Sequence, residues 1–362
     1  MEYPKVYIII LNYKGWADTI ECLESIFRNS YPNYQVIVID NSSSDNSIEY
    51  IKSWAEGELN IWIKPQNPLR YLSHPPLAKK IPYVFYSRKE AEKGGSSELE
   101  LEAQDTLNST FCINILHPTT KYPIIFIQTG DNLGYAGGNN IGIRYALAKD
   151  DFGYIWILNN DTVIDKNALS DIMNSAIKDN YDRPTGSYVY EYHWPEKLQL
   201  YGGLKFYKYS ILRPYFVKLG EDIDCISGVS LFLSREKINE LGLMEEKYFL
   251  NSEDLEYTYF YKETFKKRHK DVSSFLVAGK LWHKKAASQN KDTLLHAYYF
   301  TRNILYTSHK INKISFFLTF MYAISRCIFY FVLNRRSRAK GIFQGVVDFL
   351  NKKTGKWDHH AE

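Results

Sequence analysis

Cysteine is scarce in this chain, and its placement excludes two classes of small protein. The 362 residues include four cysteines, which are scattered along the sequence with no Cys-x-x-Cys pair. Zinc ribbons and disulfide scaffolds need closely spaced cysteines, so neither fits, and a reducing compartment is expected. A composition of 45% hydrophobic and 24% charged residues also excludes wholesale disorder.

Acidic residues are missing from residues 301–347, which nevertheless carry eight basic ones. Removing these eight from the 45 basic residues leaves 37 against 41 acidic ones, so the net charge of +4 is due to this segment. The basic residues are Arg302, Lys310, Lys313, Arg326, Arg335, Arg336, Arg338 and Lys340. Nucleic-acid binding by the rest of the protein is therefore disfavoured.

Strand and helix patterns alternate over the first 60 residues. The β-branched run Lys5–Leu11, too short for a signal peptide, predicts a buried strand, and Gln35–Asp40 predicts a second. Helical spacing of apolar residues fills Trp16–Arg28 between them, and Leu59–Lys64 is predicted as a third strand. This βαβαβ order predicts a parallel sheet.

Residues 65–122 interrupt the alternation. Seven of the twelve prolines lie between Pro65 and Pro123, and helical character is confined to Arg88–Leu107. Irregular stretches of this length are uncommon inside a domain, which indicates an insertion. Two interpretations remain open, a surface excursion with little function or a surface that holds an acceptor or a partner.

The alternation then resumes, with an antiparallel excursion expected from Thr185 to about Lys218. The predicted strands are Ile124–Gln128, Tyr154–Leu158, Cys225–Leu233 and Val272–Ala278, and the predicted helices are Gly138–Ala148, Asp165–Ile177 and Glu253–Phe265.

Polar side chains follow several of these strands, where ligands of parallel sheets gather. Asp40 and Asn41 end the second strand, and a loop rich in Gly and Asn runs from Gly130 to Asn140. The loop has neither the GxGxxG nor the GK[ST] spelling, so neither a dinucleotide fingerprint nor a Walker loop is present. Tight turns are the alternative interpretation of both features.

Three carboxylates and one histidine complete the candidates. Asp161 follows a buried strand and could hold a divalent cation or cap a turn. Glu253 and Asp254 open a helix, where acidic residues also serve as dipole partners. His283 ends the last predicted strand, and a packed histidine is the alternative to a ligand.

The order of these features closely resembles the family 2 inverting glycosyltransferases of the GT-A fold, and within them the rhamnosyltransferase-like group. The matching strings cover about residues 4–64 and 123–290, without the insertion. They are ILNYKGWADTIECLESI, VIVIDNSSSDNS, DNLGYAGGNNIGIRYAL, YIWILNNDTVID, ISGVSLFLSRE, FLNSEDLEY and LWHKKAAS.

The resemblance implies a role for each matching residue. Asp254 would be the catalytic base, with Glu253 beside it, while Asp161 and His283 would contact Mg²⁺ or Mn²⁺ and the diphosphate. Asn159 replaces the first Asp of the family's DxD motif. The implied nucleotide-sugar site comprises Asn12, Asp40, Asn41, Asn132, Gly134, Gly137, Asn140, Asn159 and Asn160.

The implied function is transfer of a sugar, with rhamnose the first guess, from a dTDP- or UDP-sugar to a hydroxyl of a cell-surface polysaccharide or lipid-linked glycan. An ionised carboxylate removes the hydroxyl proton, and one such group suffices for direct displacement with inversion. The alternatives are a non-catalytic sugar-nucleotide-binding or scaffold protein and, disfavoured by the loop spelling, a nucleotide-dependent oxidoreductase.

Two domains are expected, a GT-A domain over residues 1–290 and a basic helical extension over 291–362. Ile314–Leu333 has the length of a membrane span, but Arg326 lies within it. We therefore expect a helix in the membrane interface, with residues 310–340 on anionic lipid at the cytoplasmic face of the cell membrane. The alternative is a helix packed on the catalytic domain or in a homodimer.

Overall fold

A ten-stranded, mostly parallel sheet forms the centre of the protein. The computed structural model describes residues 3–109, 122–207, 210–217, 219–284 and 294–357. Within these ranges the strands are β1 (Val6–Asn12), β2 (Tyr34–Asp40), β3 (Tyr83–Ser87), β4 (Ile124–Gln128), β5 (Tyr154–Asn159), β6 (Thr162–Ile164), β7 (Thr185–Glu191), β8 (Trp194–Tyr201), β9 (Gly203–Tyr207), β10 (Ser210–Phe216), β11 (Cys225–Ile226), β12 (Ser230–Ser234) and β13 (Leu276–His283).

The order across the large sheet is β3-β4-β2-β1-β5-β12-β7-β13-β6, with β8 paired to β7, and β10-β9-β11 form a small second sheet. The five strands from β3 to β5 are parallel to one another. Their register pairs Asn12 with Asp40 and Leu11 with Asn159, so the polar ends of β1, β2 and β5 meet at one edge.

Helices cover both faces of the sheet, because residues of its central strands alternate between two apolar layers. Ile8 and Ile10 pack in one layer and Tyr7 and Ile9 in the other. The helices are α1 (Trp16–Ile26), α2 (Ser47–Glu56), α3 (Arg88–Ala91), α4 (Ser97–Ser109), α5 (Gly134–Lys149), α6 (Ala168–Ile177), α7 (Arg235–Leu241), α8 (Glu253–Arg268), α9 (Leu294–Ile311), α10 (Lys313–Val332) and α11 (Arg336–Leu350).

The third predicted strand is wrong. Residues 59–64 contain no strand, and Leu59 and Ile61 instead pack against the core. β2 already pairs with β1 on one side and β4 on the other, so no edge is left for a strand at 59–64. The outer edge of β4 pairs with β3, which lies inside the predicted insertion.

The C-terminal helices α9, α10 and α11 pack on one another, and Ile304 of α9 also packs against β9, β11 and α8. α10 is the one described helix that is long and apolar enough to cross a membrane by length and composition. The predicted fold, a mostly parallel sheet with flanking helices and a helical C-terminal extension, is confirmed. The expected boundary at residue 290 lies outside the described residues.

Candidate active site

The ends of β1 and β2 form a preorganised polar floor. Asn12 and Asp40 are both buried, and the Asn12 Nδ2 donates to Asp40 Oδ1 at 2.7 Å. The other carboxylate oxygen of Asp40 accepts the backbone N–H of Ser43 at 3.0 Å. Because each group is fixed by the other, the floor keeps its shape without a ligand.

Asn160 joins this floor from the end of β5. Its Nδ2 donates to Thr19 Oγ1 at 2.9 Å, and that hydroxyl donates to Asn12 Oδ1 at the same distance. Asn159, the last residue of β5, is half-buried and pairs through its backbone N–H with the carbonyl of Val229. The structure thus brings Asn12, Asp40 and Asn160 together.

The Asn41 amide shapes the glycine-rich loop. Its Nδ2 donates to Asn132 Oδ1 and to the Gly134 carbonyl, both at 3.0 Å, while its Oδ1 accepts the Leu133 N–H at 3.0 Å. Asn132 Oδ1 also accepts the Gly134 N–H. These contacts orient the Asn41 amide towards the loop, which it holds in place beside the end of β2.

Gly134, the first residue of α5, allows this helix to touch the segment that precedes Glu253. Its φ is +74°, and a Cβ at this position would lie 2.0 Å from the carbonyl oxygen of Phe249. The next residue, Tyr135, donates its backbone N–H to that same carbonyl at 2.7 Å. A side chain at residue 134 would separate the two segments.

Gly137 and Asn140 serve the packing of α5. A Cβ on Gly137 would lie 2.8 Å from the Cβ of Leu133, so the helix closes tightly on its own loop. Asn140 exchanges hydrogen bonds with the backbone of Met244 and donates to Glu246 Oε1 at 2.8 Å. Its amide therefore fastens the 244–246 segment to the helix.

Asp161 and His283 form the candidate metal site. Both are buried, and His283 Nε2 lies 3.2 Å from Asp161 Oδ1. Gln199 contacts the other ring nitrogen at 3.1 Å and fixes the orientation of the imidazole. Burial by itself would raise the pKa of the Asp161 carboxyl, but His283 and Lys284 bring that pKa below its ordinary value. Asp161 is therefore ionised at neutral pH.

These two side chains are the metal-ligating groups that converge here. Among the described residues, no group of three or more His, Cys, Asp or Glu side chains is arranged to hold a metal ion. Asp161 Oδ1 is buried and receives no aligned hydrogen bond, so its lone pairs are available to a cation. A carboxylate and an imidazole suit a divalent cation that takes its remaining ligands from phosphate oxygens or water.

Asp254 lies in the first turn of α8, half-buried and held from two sides. Its Oδ2 accepts the Gly228 N–H at 2.7 Å and its Oδ1 accepts the Leu255 N–H at 2.8 Å. Burial raises the pKa of this carboxyl, and the two backbone donors oppose that rise because they stabilise the charged form.

Glu253 is more deeply buried than its neighbour. Burial, with the charge of Asp254 in second place, raises the pKa of Glu253 to about 8. Its Oε2 is buried without a hydrogen-bond partner among the described residues. A pKa of about 8 means that Glu253 is protonated at pH 7, whereas the two backbone donors to Asp254 favour its ionised form.

One turn connects the metal site to the Asp254 site. Gly228 donates to Asp254, and the neighbouring Val229 carbonyl accepts the N–H of Asn159, two residues before Asp161. Tyr135 donates its hydroxyl to the Gly228 carbonyl at 2.5 Å. Burial, and after it the charges of Asp254, Glu253 and Asp161, raise the pKa of this phenol.

Residues 7–69 and 113–240 match the model of the family described as Glycosyl transferase family 2. The match takes in just over half of the chain. The protein belongs to glycosyl transferase family 2. Of the residues that define its site, Asn12, Asp40 and Asp161 lie within the matched ranges, whereas Asp254 and His283 lie beyond them.

The chain is similar to a curated relative, the low-salt glycan biosynthesis hexosyltransferase Agl10 of Haloferax volcanii. The two sequences are 28% identical over 145 residues. The match covers 38% of this family 2 chain and 45% of Agl10, so it spans less than half the length of that relative.

Two solved structures share the fold at 11% sequence identity. GalNAc-T7 with UDP, GalNAc and Mn²⁺ has a TM-score of 0.53, with 97% of this chain and 58% of that chain covered. The mannosyltransferase PcManGT from Pyrobaculum calidifontis in complex with GDP-Man and Mn²⁺ has a TM-score of 0.50, with 98% and 89% covered. The expected GT-A fold is confirmed.

The sequence patterns do not predict the contacts of several residues of this family 2 site. Gly228 was placed inside a strand, although it forms the turn between β11 and β12, and Tyr135 was treated as part of a glycine loop. Lys284, whose Nζ lies 2.6 Å from both Asp18 and Glu21, fastens the end of β13 to α1. For Lys284, the tripeptide Trp282-His283-Lys284 at the end of the strand was the feature of the sequence that could have indicated it.

Proposed function

We propose that this protein is an inverting glycosyltransferase that uses a nucleoside diphosphate sugar. The observation that supports the proposal best is the hydrogen-bonded connection from Asp254 through the Gly228–Val229 turn to the strand end that carries Asp161. It links the residue proposed as base to the strand end proposed for the diphosphate through one turn. The similarity to a hexosyltransferase and the fold shared with sugar-nucleotide complexes agree with this assignment.

Asp254 is the general base in this proposal. As the acceptor hydroxyl attacks the anomeric carbon, Asp254 takes its proton, and the carbon–oxygen bond to the diphosphate breaks on the opposite face. The configuration inverts because the displacement is direct. The Gly228 and Leu255 N–H groups hold the carboxylate in place and favour its ionised form, while Glu253, with a pKa of about 8, is protonated at pH 7.

Asp161 and His283 are the residues that would hold Mg²⁺ or Mn²⁺. When bound, such a cation would offset the negative charge that develops on the departing diphosphate. Gln199 keeps His283 in register with Asp161, and the lowered pKa of Asp161 keeps that ligand charged at neutral pH.

The donor we propose is a dTDP- or UDP-sugar, with rhamnose as the sugar. Asn12 and Asp40, bonded to each other, would support the floor beside which the base and ribose would lie. An amide can both donate and accept, which suits a pyrimidine of either kind. Asn41 is hydrogen-bonded to the loop, so in this proposal it shapes the pocket and does not contact the base.

The outer face of α10 supports a location on the cytoplasmic surface of the cell membrane, with a lipid-linked glycan as acceptor. This helix buries the small side chains of Ser315, Thr319 and Ala323 and exposes large apolar ones. Phe331 and Val332 are 69% and 74% exposed. Water disfavours that arrangement, whereas the apolar boundary of a bilayer favours it.

The charges around α10 fit the same location. Arg326 is half-buried, and it donates to the hydroxyls of Tyr322 and Tyr330 on its own helix. Lys313, Arg335, Arg336 and Lys340 are exposed at the ends of the apolar face. Each basic residue near an anionic lipid surface adds about 1 kcal/mol of attraction.

A donor panel tests the proposed activity. Purified protein is incubated with dTDP-, UDP- and GDP-sugars, and release of nucleoside diphosphate is followed with and without EDTA. We expect release from a dTDP- or UDP-sugar that the chelator abolishes. Donor binding without release would instead identify a non-catalytic scaffold, and consumption of a reduced pyridine nucleotide would identify an oxidoreductase, an outcome that the family membership disfavours.

A further inference from the structure

The segment just before Glu253 has a backbone that it could not keep unaided. Phe249, Asn251 and Ser252 have φ values of +62°, +66° and +75°, in the left-handed region that side chains with a Cβ rarely adopt. Three such residues within four positions require support from outside the segment. Asp254 follows directly, so the direction of its side chain depends on that support.

Asn303 of α9 supplies hydrogen bonds to three carbonyls of this segment. Its fully buried Nδ2 donates to the carbonyl oxygens of Tyr248, Leu250 and Asn251 at 2.8, 2.7 and 2.9 Å. An amide that meets three carbonyls of one loop fixes the path of the loop.

Arg302 supports the same segment and fixes the Asn303 amide. This guanidinium is 1% exposed, and its Nε donates to Asn303 Oδ1 at 3.0 Å. Its Nη2 reaches the Tyr248 carbonyl at 3.1 Å, and its Nη1 donates to the Gly355 carbonyl at 2.9 Å. Burial of a charge is costly unless its donors are satisfied, as they are here by backbone oxygens.

Aromatic stacking adds a third contact. The ring of Tyr299, one turn earlier in α9, stacks on the ring of Phe249 at a centroid distance of 5.2 Å. The Phe249 carbonyl is the acceptor of the Tyr135 N–H, so α9 also stabilises the contact between the first turn of α5 and this segment. All these α9 residues lie outside the ranges that match the family.

We propose that Asn303 and Arg302 are positioning residues for the reaction, which hold the 248–252 segment so that Asp254 points at the acceptor hydroxyl. The proposal rests on the role of Asp254 proposed above. It assigns to the C-terminal extension a part in catalysis that is separate from contact with a membrane. In this proposal, α9 of the extension supports the active site through the 248–252 segment.

Asn303→Ala is the main test, with Tyr306→Phe on the same helix as the matched control, since the Tyr306 hydroxyl contacts Lys353 at the surface. We expect Asn303→Ala to lower kcat at least ~30-fold while the KM for the donor found in the panel changes less than ~2-fold. The pH at which kcat reaches half its maximum should also shift, because the surroundings of Asp254 change. Tyr306→Phe should match the wild type.

Hydrogen exchange gives a readout that does not depend on activity. In Asn303→Ala the amides of residues 249–254 should exchange at least ~10-fold faster, while those of β1 keep their rates. Arg302→Lys, which keeps the charge but loses the planar contacts, should show the same pattern more weakly and serves if the alanine variant fails to fold. Unchanged exchange, or faster exchange with unaltered kcat and pH profile, overturns the positioning role. Inactive wild-type protein with the expected exchange pattern would instead refute the proposed activity alone.

Discussion

The Asp254 carboxylate accepts the backbone N–H of Gly228 at 2.7 Å, and a side chain in place of this glycine would press on Tyr135 and on Asp254 itself. A Cβ on Gly228 would lie 2.8 Å from the Tyr135 hydroxyl and 3.2 Å from the Asp254 Cβ. The turn between β11 and β12 thus brings a helix N-terminus, a glycine loop and a strand end into contact. The following predictions depend on that arrangement.

The contact between Gly134 and Phe249 can be tested by adding a single methyl group. Gly134→Ala places a Cβ against the Phe249 carbonyl, whereas Gly130→Ala has nearly the same φ (+80°) and no atom within 4 Å of its Cβ. Both variants lose about 1 kcal/mol to backbone strain. We expect Gly134→Ala to lose at least ~2 kcal/mol more in urea unfolding because the start of α5 must move away from Phe249. Equal losses would show that the close approach is unimportant.

The raised pKa of Glu253 predicts how stability changes with pH. Its folded pKa of about 8 exceeds the ordinary value of 4.5, so the folded state retains a proton that the unfolded state releases between these values. The contribution of Glu253 to the free energy of unfolding is therefore greatest below about pH 4.5. It falls as the pH rises from there to about 8. Glu253→Gln removes this dependence.

We expect Glu253→Gln to gain stability relative to the wild type as pH rises from 5 to 8, by a few kcal/mol at most, with little further gain at higher pH. Urea unfolding at pH 5, 7 and 9 measures the difference. A constant difference across that range would mean that Glu253 is ionised in the folded protein.

The metal ligands are tested by Mn²⁺ titration of activity. Asp161→Asn keeps the shape of the side chain but removes the charge, so the Mn²⁺ concentration for half-maximal activity should rise at least ~10-fold. His283→Ala should act in the same direction. Asp131→Asn is the control, since Asp131 is an exposed loop carboxylate near Lys356. An unchanged Mn²⁺ requirement in both site variants would exclude this cation site.

The exposed face of α10 is tested with point substitutions, because α11 packs on α9 and deletion from Ile314 onward would remove that packing as well. Phe317→Glu combined with Phe331→Glu should abolish flotation with vesicles that contain anionic lipid. Leu101→Glu, at a site 64% exposed on another helix, should float like the wild type. Equal flotation of all three proteins would refute the membrane location.

Local sequence patterns predicted the parts of the fold that local chemistry determines. The continuous apolar runs of β1, β2 and β5 and the helical spacing of α1 predicted buried elements correctly, because strands buried on both faces have few alternatives. The strand β3 was missed, since its residues alternate between buried and exposed beside a proline-rich stretch. The third strand was instead predicted at Leu59–Lys64. The apolar residues there pack against the core without pairing as a strand, and their composition is the same as that of a strand.

The sequence predicted the positions of candidate side chains that follow a strand. It did not predict the contacts that depend on backbone groups. Asp40, Asp161 and His283 lie at strand ends, as expected. Asp254 accepts backbone N–H groups and the Asn303 Nδ2 donates to backbone carbonyls, and because nearly every residue has such groups, no sequence pattern reports them. Asn303 also lies more than 50 residues from the segment it holds, beyond the reach of any local pattern.

The most direct test of the central claim is the rate of nucleoside diphosphate release by Asp254→Asn in the presence of donor and acceptor. The amide keeps the size of the carboxylate but cannot take a proton, so we predict a fall in kcat of at least ~100-fold with donor KM nearly unchanged. Glu253→Gln, a mimic of the protonated acid next to it, should keep activity within ~10-fold at pH 7. Near-normal turnover by Asp254→Asn would contradict the assignment of the base and with it the proposed reaction geometry.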